Sequence, residues 1–330
     1  MEKADAAPSG LLLLHKQPGL TSFDSLRDIK HALGTGKAGH TGTLDKFAEG
    51  LLLVLVGRAL KLSQWFSHCD KEYEGTICFG IETDTLDPEG KPIAEAALPS
   101  REAVEQALAQ FRGEIQQAPP AYSAIHIDGK RASALARKGE APEMQKRPVT
   151  IYRLELCSWE SPFAKIFVHC SSGTYIRSLA RDIALAAGTR AYLSALVRTR
   201  VAGFRLEDAK ASTVLSRVHD KRQHGKSPDD GYRYEKGELA LASVGAKLGI
   251  RNIDKSIFEK LNIPIIDITP ENAKNVAQGK PLAKILCDVP AFSGELGNVA
   301  ALFSRDELIA VIEKPQLSNK WNYGYVYANN

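Results

Sequence analysis

Apolar side chains recur every three or four residues in several parts of the chain, which is the spacing of an amphipathic helix. In TSFDSLRDIKHALG (residues 21–34), Phe23, Leu26, Ile29 and Leu33 follow this spacing. The segment opens with a Thr-x-x-Asp capping pattern and closes on a glycine, a common helix stop. The pattern therefore predicts a helix with these four side chains on one face.

Further helices are predicted from the same spacing and from N-terminal capping residues. One covers residues 100–113 behind Ser100, and one covers residues 171–188 behind Thr174. Another helix is expected to begin at Pro270, because proline is favoured in the first helical position.

Strands are predicted where apolar residues alternate or form short unbroken runs. LLLVLV at residues 51–56 is typical of a buried strand, and in KEYEGTICFG the side chains of Tyr73, Ile77 and Phe79 share one face. Further strand patterns are IYRLELCSW, AKIFVHC, NVAALFS and ELIAVIEK. Because helices and strands mix without a regular β-α-β alternation, we predict an α+β fold on a mostly antiparallel sheet.

The chain divides by composition into three parts. Residues 1–212 hold most of the predicted elements, and residues 262–330 are expected to form a small, mostly-β domain. Residues 213–261 are expected to be a charged linker or flexible insertion, since residues 217–238 are dense in charge and nearly free of aliphatic side chains.

Composition indicates an ordinary globular protein. The chain has 330 residues, 44% hydrophobic and 25% charged, which is enough for two cores. Its longest apolar runs fall far short of the roughly 20 residues of a transmembrane helix. The N-terminal segment MEKADAAPSG lacks the apolar core of a signal peptide. We therefore expect a cytoplasmic protein with no membrane partner.

The cysteines, the histidines and the net charge indicate which sites and partners the protein can have. The five cysteines are widely spaced without a C-x-x-C pair, and the eight histidines show no H-x-x-x-H spacing. Neither a disulfide framework nor a metal site is predicted. The net charge of +4 and pI of about 8.7 are compatible with a polyanionic partner. They fall short of the pI above about 9 that is typical of strongly basic nucleic-acid domains.

Asp45 lies between a glycine-rich loop and the apolar run at residues 51–56. The loop lacks the G-x-x-x-x-G-K-[ST] order of a P-loop, and it precedes the strand instead of following one. We therefore exclude a nucleoside triphosphatase. Aspartate at such a place is either a turn or capping residue, or a carboxylate that acts as nucleophile or proton acceptor beside an apolar wall. The loop by itself leaves both interpretations open.

Two other features carry candidate chemistry. Arg177 falls in the first turn of a predicted helix, where a cation opposes the helix dipole. It is either an exposed arginine with a small penalty or the partner of a nearby anion, for which Asp45 is the natural candidate. Residues 116–139 combine a Pro-Pro pair, a tyrosine and several basic residues, and they form either a solvated loop or an RNA contact.

These motifs together resemble the bacterial tRNA pseudouridine-55 synthases of the TruB family. GHTGTLD resembles the family's catalytic motif, and KEYEGTICFGIETDTLDPEG resembles its segment with the K-x-Y and TDT-x-D-x-x-G patterns. PPAYSA, RPVTIY, CSSGTYIRSLARD and LSALVRTRVAGF follow in the family's order. The similarity runs through most of residues 10–205.

The resemblance implies a fold and a reaction. The fold would be a pseudouridine-synthase catalytic domain followed by a small PUA-like RNA-binding domain. The reaction would isomerise the T-loop uridine (position 55) of tRNA to pseudouridine, with base flipping, a covalent aspartate nucleophile and no metal or cofactor. The implied partner is the T-arm of tRNA, and the enzyme is expected to act as a monomer.

The resemblance also assigns roles to residues. It places the nucleophile on Asp45, pairs Arg177 with that carboxylate, and has Tyr73 stack on the target base and help to remove the C5 proton. Flipping the base costs a few kcal/mol, of which an aromatic platform returns roughly 1 to 3 kcal/mol by stacking. In addition to Tyr73, the resemblance implies five substrate-binding residues. His40 would fill the space of the extruded nucleotide, and Tyr175 and Leu196 would line the pocket. The other two are Lys16 and Lys61.

Some positions depart from the family pattern. Lys46-Phe47 replaces the usual Pro-Leu after the aspartate, Gln17 follows Lys16 where proline is usual, and His126 stands where a lysine is usual.

Two alternative functions remain open. One is a non-catalytic tRNA-binding or RNA-folding protein, which would not need Asp45, and the other is a guide-RNA-dependent uridine isomerase. The short C-terminal region and the absence of long basic tails favour a stand-alone enzyme.

Overall fold

The computed structural model describes most of the chain, in the ranges 9–127, 129–140, 144–209, 211–212, 215–219, 232–236, 249–286, 298–315 and 320–327. The α-helices are α1 (Ser22–Ala32), α2 (Ser63–Ser67), α3 (Arg101–Ala109), α4 (Ala132–Ala136), α5 (Ile176–Ala186), α6 (Lys255–Lys260), α7 (Pro270–Ala277) and α8 (Leu282–Leu286). Short 3₁₀ helices cover Gly57–Leu62 and Leu206–Asp208.

The strands, in chain order, are β1 (Gly10–Lys16), β2 (Ala38–His40), β3 (Glu49–Val56), β4 (Lys71–Phe79), β5 (Ile81–Thr83), β6 (Pro92–Glu95), β7 (Gly113–Gln117), β8 (His126–Ile127), β9 (Lys130–Arg131), β10 (Arg147–Glu160), β11 (Phe163–Cys170), β12 (Ala191–Val201), β13 (Phe204–Arg205), β14 (Ala211–Ser212), β15 (Leu215–His219), β16 (Tyr232–Lys236), β17 (Ile265–Asp267), β18 (Val299–Ser304), β19 (Glu307–Glu313) and β20 (Asn322–Val326).

One large sheet forms the centre of the molecule, in the order β14-β1-β3-β12-β4-β11-β10-β7, with β2 added to β3 and β13 to β12. Its pairs are antiparallel except β1 with β14 and β3 with β12. The predicted α+β fold on a mostly antiparallel sheet is therefore confirmed. The parallel pair of β3 and β12 matters for function, because it brings the strand after Asp45 beside the strand that carries Leu196.

Hydrophobic burial explains how the helices cover this sheet. The inward face of β4, with Tyr73, Ile77 and Phe79, packs in one core with α3 and α5. A second core places α1 over β1 and β3. The alternation read from the sequence in β4 thus identified the buried face correctly.

Two details of the predicted helices are wrong. Phe23 is 69% exposed although it shares the helical spacing of Leu26 and Ile29, and it lies in the first turn of α1. Thr174 does not cap α5: its hydroxyl donates to the carbonyl of Ser171 within the preceding turn (3.0 Å), and the helix begins one residue after Tyr175. The predicted caps of α1 and α3 are present, and α7 begins at Pro270 as predicted, with Thr269 as its cap.

A four-stranded sheet, β17-β18-β19-β20, forms the C-terminal part of the described chain together with α7 and α8. The predicted small C-terminal β-sheet is confirmed. The PUA-like character and the domain boundaries stay predictions. Of the predicted linker, residues 217–238 lie largely outside the described residues, apart from the antiparallel β15–β16 pair.

The last part of the expected linker is an ordered element. Residues 249–261 include α6, whose Ile257 and Phe258 are buried in a core shared with β1, β3 and β18. The helix α6 (KSIFEK) has only six residues, and its two apolar residues are too few to show a helical spacing in the sequence. This core also contains Phe66, Phe204 and Phe303, so the C-terminal sheet packs directly on the large sheet.

Candidate active site

The loop between β2 and β3 presents Asp45 at the surface of the large sheet, and side chains of α1 and β12 hold the backbone of this loop. Ser22, at the start of α1, exchanges two hydrogen bonds with the backbone of Leu44 (2.9 and 3.1 Å). Arg198 of β12 donates to the carbonyls of Gly42 (3.1 Å) and Leu51 (2.8 Å) on either side of Asp45. The position of the carboxylate is therefore set by α1 and by two strands of the sheet.

Lys16 binds the backbone of the same loop and of the segment after β1. Its buried ammonium group donates to the carbonyls of Ala48 (2.6 Å), Leu20 (2.7 Å), Gln17 (3.1 Å) and Lys46 (3.5 Å). Burial lowers the pKa of Lys16 to about 8. Its amine therefore holds the loop through four backbone carbonyl groups.

Arg177 is the central cation of the site. Its Nη2 donates to Oδ1 of Asp45 (3.0 Å), and its Nε lies 2.9 Å from Oδ2, with the N–H bent too far for a hydrogen bond. The Arg177 side chain is 5% exposed and that of Asp45 is 35% exposed. The pairing expected from the sequence is thus present in the structure, and it leaves the carboxylate accessible.

A second carboxylate, Asp87, shares this arginine. Arg177 Nη1 donates to Oδ2 of Asp87 (3.4 Å) and to the carbonyl of Thr85 (2.8 Å), while Nη2 also donates to the carbonyl of Tyr122 (3.1 Å). Burial raises the pKa of Asp87, and the Thr85 hydroxyl and Arg177 oppose that rise. Two anions and two carbonyls offset the unfavourable place of Arg177 in the first turn of α5.

Two cavities meet at Asp45 and Arg177. The smaller one, about 290 Å³, is lined by Tyr73, Tyr175 and Leu196, together with residues of the Asp45 loop. The larger one, about 530 Å³, lies on the other side of Asp45 and includes His40 in its wall. Both are closed on one side by residues 122–124, which belong to the segment for which a solvated loop and an RNA contact were equally open.

The smaller cavity combines an aromatic wall with polar groups near Asp45. Burial raises the pKa of Tyr73 to about 12, although the Arg198 cation beside it partly opposes that rise. Burial also raises the pKa of Tyr175. Both phenols are therefore protonated at neutral pH, and they present aromatic surface and hydroxyl groups to a bound molecule, never a negative charge.

Sequence reasoning missed two cations in this site. Lys71 lines the smaller cavity and donates to the carbonyls of Cys69 (2.5 Å) and Ser67 (3.3 Å). Burial, and then the Arg198 cation, lower its pKa to about 8. Arg198 lines the same cavity and is 2% exposed. The sequence signal was available, since both residues lie within motifs that carried the family resemblance.

The two other predicted substrate-binding residues differ in placement. His40 ends β2, and its Nδ1 is buried without a hydrogen-bond partner among the described residues. Burial and the Arg198 cation lower the pKa of His40. Lys61 is exposed in the 3₁₀ helix Gly57–Leu62 and lines neither cavity, so the structure does not bring it together with Asp45.

The described residues hold no group of three or more His, Cys, Asp or Glu side chains placed to hold a metal ion. Within the same ranges, no helix has the length and apolar character needed to cross a bilayer.

Comparison with known proteins places the chain in a family. The TruB family pseudouridylate synthase N-terminal domain matches residues 30–176. A tRNA pseudouridine synthase B of Borreliella burgdorferi (strain ZS7) is 46% identical over 213 residues, which are 64% of this chain and 76% of that protein. The Treponema denticola protein of the same name is 40% identical over 281 residues, which are 79% of this chain and 76% of that protein.

Among solved structures, a Cbf5-Nop10-Gar1 complex includes a chain that aligns with a TM-score of 0.66 at 24% identity, over 97% of this chain and 85% of that chain. The two chains therefore share their fold. The identity and coverage of the curated relatives show that the chain belongs to the TruB family of pseudouridylate synthases, which are isomerases.

Proposed function

We propose that this protein isomerises the uridine at position 55, in the T-loop of tRNA, to pseudouridine, with Asp45 as covalent nucleophile. The names of the curated relatives supply tRNA as the substrate class. The observation that carries the proposal is the buried Arg177, which holds the accessible Asp45 carboxylate in the wall of an aromatic-lined cavity. The volume of this cavity, about 290 Å³, lies just below the range of small-molecule sites, which is roughly 300 to 1,000 Å³.

The chemistry begins with a uridine that has been turned out of its stack. An oxygen of Asp45 bonds to C1′, the bond from C1′ to N1 breaks, and the uracil leaves with the electron pair. After the base turns, C5 bonds to C1′ and the carboxylate leaves with the electrons of its ester bond. C5 then loses its proton and N1 gains one, so the product is an isomer of the substrate.

Arg177 serves this sequence by holding Asp45 in one orientation and by balancing its charge when the carboxylate is free. Tyr73 supplies a flat face for the detached base, which must stay in the cavity while it turns. The phenol of Tyr73 is protonated at neutral pH, because its pKa is raised to about 12. It can therefore take the C5 proton only if it passes its own proton on at the same time.

The test uses purified protein and an unmodified tRNA transcript labelled with tritium at C5 of its uridines. We expect tritium release from one position, and mapping of pseudouridine should find it at position 55. The Asp45→Asn variant is the control, and it should bind the transcript without releasing tritium.

The alternatives give other results in this assay. A non-catalytic tRNA-binding or RNA-folding protein would bind the transcript without any release. A guide-dependent isomerase would release tritium only after a guide RNA is added. Release from a different uridine would contradict the T-loop assignment and leave the isomerase activity standing.

A further inference from the structure

An exposed ion pair lies directly beside the buried network of the site. Nζ of Lys46, the residue after Asp45, is 2.8 Å from Oε1 of Glu89, two residues after Asp87. The two side chains are 52% and 43% exposed, and both line the larger cavity of about 530 Å³.

This pair is not needed to hold the two loops together. The buried contacts of Arg177 with Asp45 and Asp87 already join the same loops, at 3.0 Å and 3.4 Å. The carbonyl of Lys46 is fixed separately, since it accepts a hydrogen bond from the backbone N–H of Gly19 (2.7 Å). An exposed pair such as Lys46–Glu89 contributes only about 0 to 1 kcal/mol, so its lysine is free to exchange one anion for another.

The charges around the cavity favour such an exchange. Arg131 and Arg137 also line this cavity, and among the described residues neither has a carboxylate within 4.0 Å. Asp45 and Asp87 in the same lining are already paired with the buried Arg177, whereas the exposed Glu89 is paired with Lys46. A polyanion that enters this cavity meets two arginines that have no carboxylate partner among the described residues, and one lysine that is held by Glu89.

We infer that Lys46 leaves Glu89 when RNA binds and contacts a phosphodiester group of the strand that crosses the larger cavity. Glu89 holds the ammonium group at the cavity mouth in the free protein and competes with the phosphate for it. This inference rests on the proposed function, because it takes the tRNA strand as the polyanion.

A phosphate contact and a structural link predict different mutant effects. If the pair only links two loops, Lys46→Gln and Glu89→Gln break the same bond and have the same effect. If Lys46 exchanges partners, loss of the lysine weakens RNA binding, whereas loss of the glutamate frees the lysine, removes a repulsive charge and strengthens binding. The sign of the Glu89→Gln effect therefore separates the two roles.

The experiment measures single-turnover pseudouridine formation on unmodified tRNA transcript with enzyme in excess, at several salt concentrations. The enzyme concentration at half-maximal rate reports binding, and the rate at saturation reports the steps that follow. We expect Lys46→Gln to raise the half-maximal concentration roughly three- to tenfold and to reduce the slope of log affinity against log salt by about one. Glu89→Gln should lower the half-maximal concentration.

Lys165→Gln is the matched control, since this exposed lysine of β11 removes the same charge away from both cavities. It should leave the half-maximal concentration and the salt slope as in the parent. Equal losses in Lys46→Gln and Glu89→Gln, or an unchanged salt slope in Lys46→Gln, would overturn the exchange while the parent remains active. A parent protein without turnover on tRNA would overturn both the proposed function and this inference.

Discussion

At the scale of single residues, Arg177 shows how a locally unfavourable choice can be favourable in three dimensions. A cation in the first turn of α5 opposes the helix dipole by a few tenths of a kcal/mol or more. Asp45 and Asp87 are 132 and 90 residues away in the chain, and both meet this guanidinium. An arginine that violates the rule for its position in a helix is therefore a useful pointer to a buried anion.

Asp45 and Arg177 are predicted to act as one catalytic unit. Asp45→Asn keeps the size of the side chain and removes the nucleophile, so turnover should fall by several orders of magnitude with little change in tRNA affinity. Arg177→Lys should also lose most activity, because lysine keeps the charge but not the fork that reaches both carboxylates.

The double variant tests the unit. Combining Asp45→Asn with Arg177→Lys should cost little beyond the larger single loss, since residues that act together are not additive. Single-turnover rates give these values, and circular dichroism confirms that each variant is folded. Losses that simply multiply, or a folded Asp45→Asn protein with near-normal turnover, would refute the assignment.

His40 gives a prediction for the pH dependence of stability. Its pKa is lowered by burial in the folded protein, so between that pKa and 6.5 the unfolded chain binds more protons than the folded one. This contribution to the free energy of unfolding is complete above pH 6.5 and declines as the pH falls. Urea unfolding at pH 7.5 and 5.5 should therefore show a smaller loss of stability for His40→Asn than for the parent; equal losses would mean that His40 is not the group responsible.

At the scale of elements, Lys16 connects the end of β1 to the loop after Asp45. The sequence placed this lysine near the substrate, but its amine is enclosed by carbonyl groups from both segments. The family resemblance implied a substrate contact for Lys16. Linear sequence does not show which side of a loop faces the interior, so it could not show that this amine is enclosed.

Lys16→Met should therefore act first on stability. The carbonyls of Leu20 and Ala48 lose their buried donor, and each buried polar group left without a partner costs about 1 to 3 kcal/mol. Urea unfolding measures the change. Lys61→Met is the matched control at an exposed site and should change the free energy of unfolding by less than about 0.5 kcal/mol. Similar effects of the two substitutions would contradict the structural role of Lys16.

The predicted elements themselves were largely recoverable from sequence. Thr21 caps α1 and Ser100 caps α3 as predicted, because a capping bond spans only three residues. Thr174 was misassigned, since a hydroxyl next to a helix can equally well bond to a carbonyl of the preceding turn, as Thr174 does with Ser171. Phe23 was misassigned because helical spacing specifies a face of the helix but not which turns of that face are covered.

At the scale of the whole molecule, the C-terminal sheet and the large sheet share a hydrophobic core. Phe66 stacks near Phe204 with ring centroids 6.4 Å apart, and Phe258 meets Phe303 edge-on at 5.5 Å. The Trp65 indole N–H also donates to Glu313 Oε1 of β19 (2.8 Å). Deleting residues 262–330 would expose this core, so the truncation is not a clean test of the C-terminal part.

We therefore predict that the large sheet and the C-terminal sheet unfold together in one cooperative step. Differential scanning calorimetry should give a single transition whose calorimetric and van't Hoff enthalpies agree. Trp65→Ala, which removes a ring between the two sheets, should lower the melting temperature of that transition without splitting it. Two separate transitions in the parent protein would show that the sheets are independent units.

The sequence by itself determined the features that depend on near neighbours: most helix caps, the alternation that identifies the buried face of β4, and the family motifs around Asp45, Tyr73 and Arg177. These follow from contacts that span a few residues or from a residue order that can be read directly. Tertiary structure alone decided that Asp87 shares Arg177, that Lys16 faces inward, and that Lys46 stands beside Glu89. Each of these depends on the direction of a side chain between segments that are far apart in the chain, and such directions are set by tertiary packing.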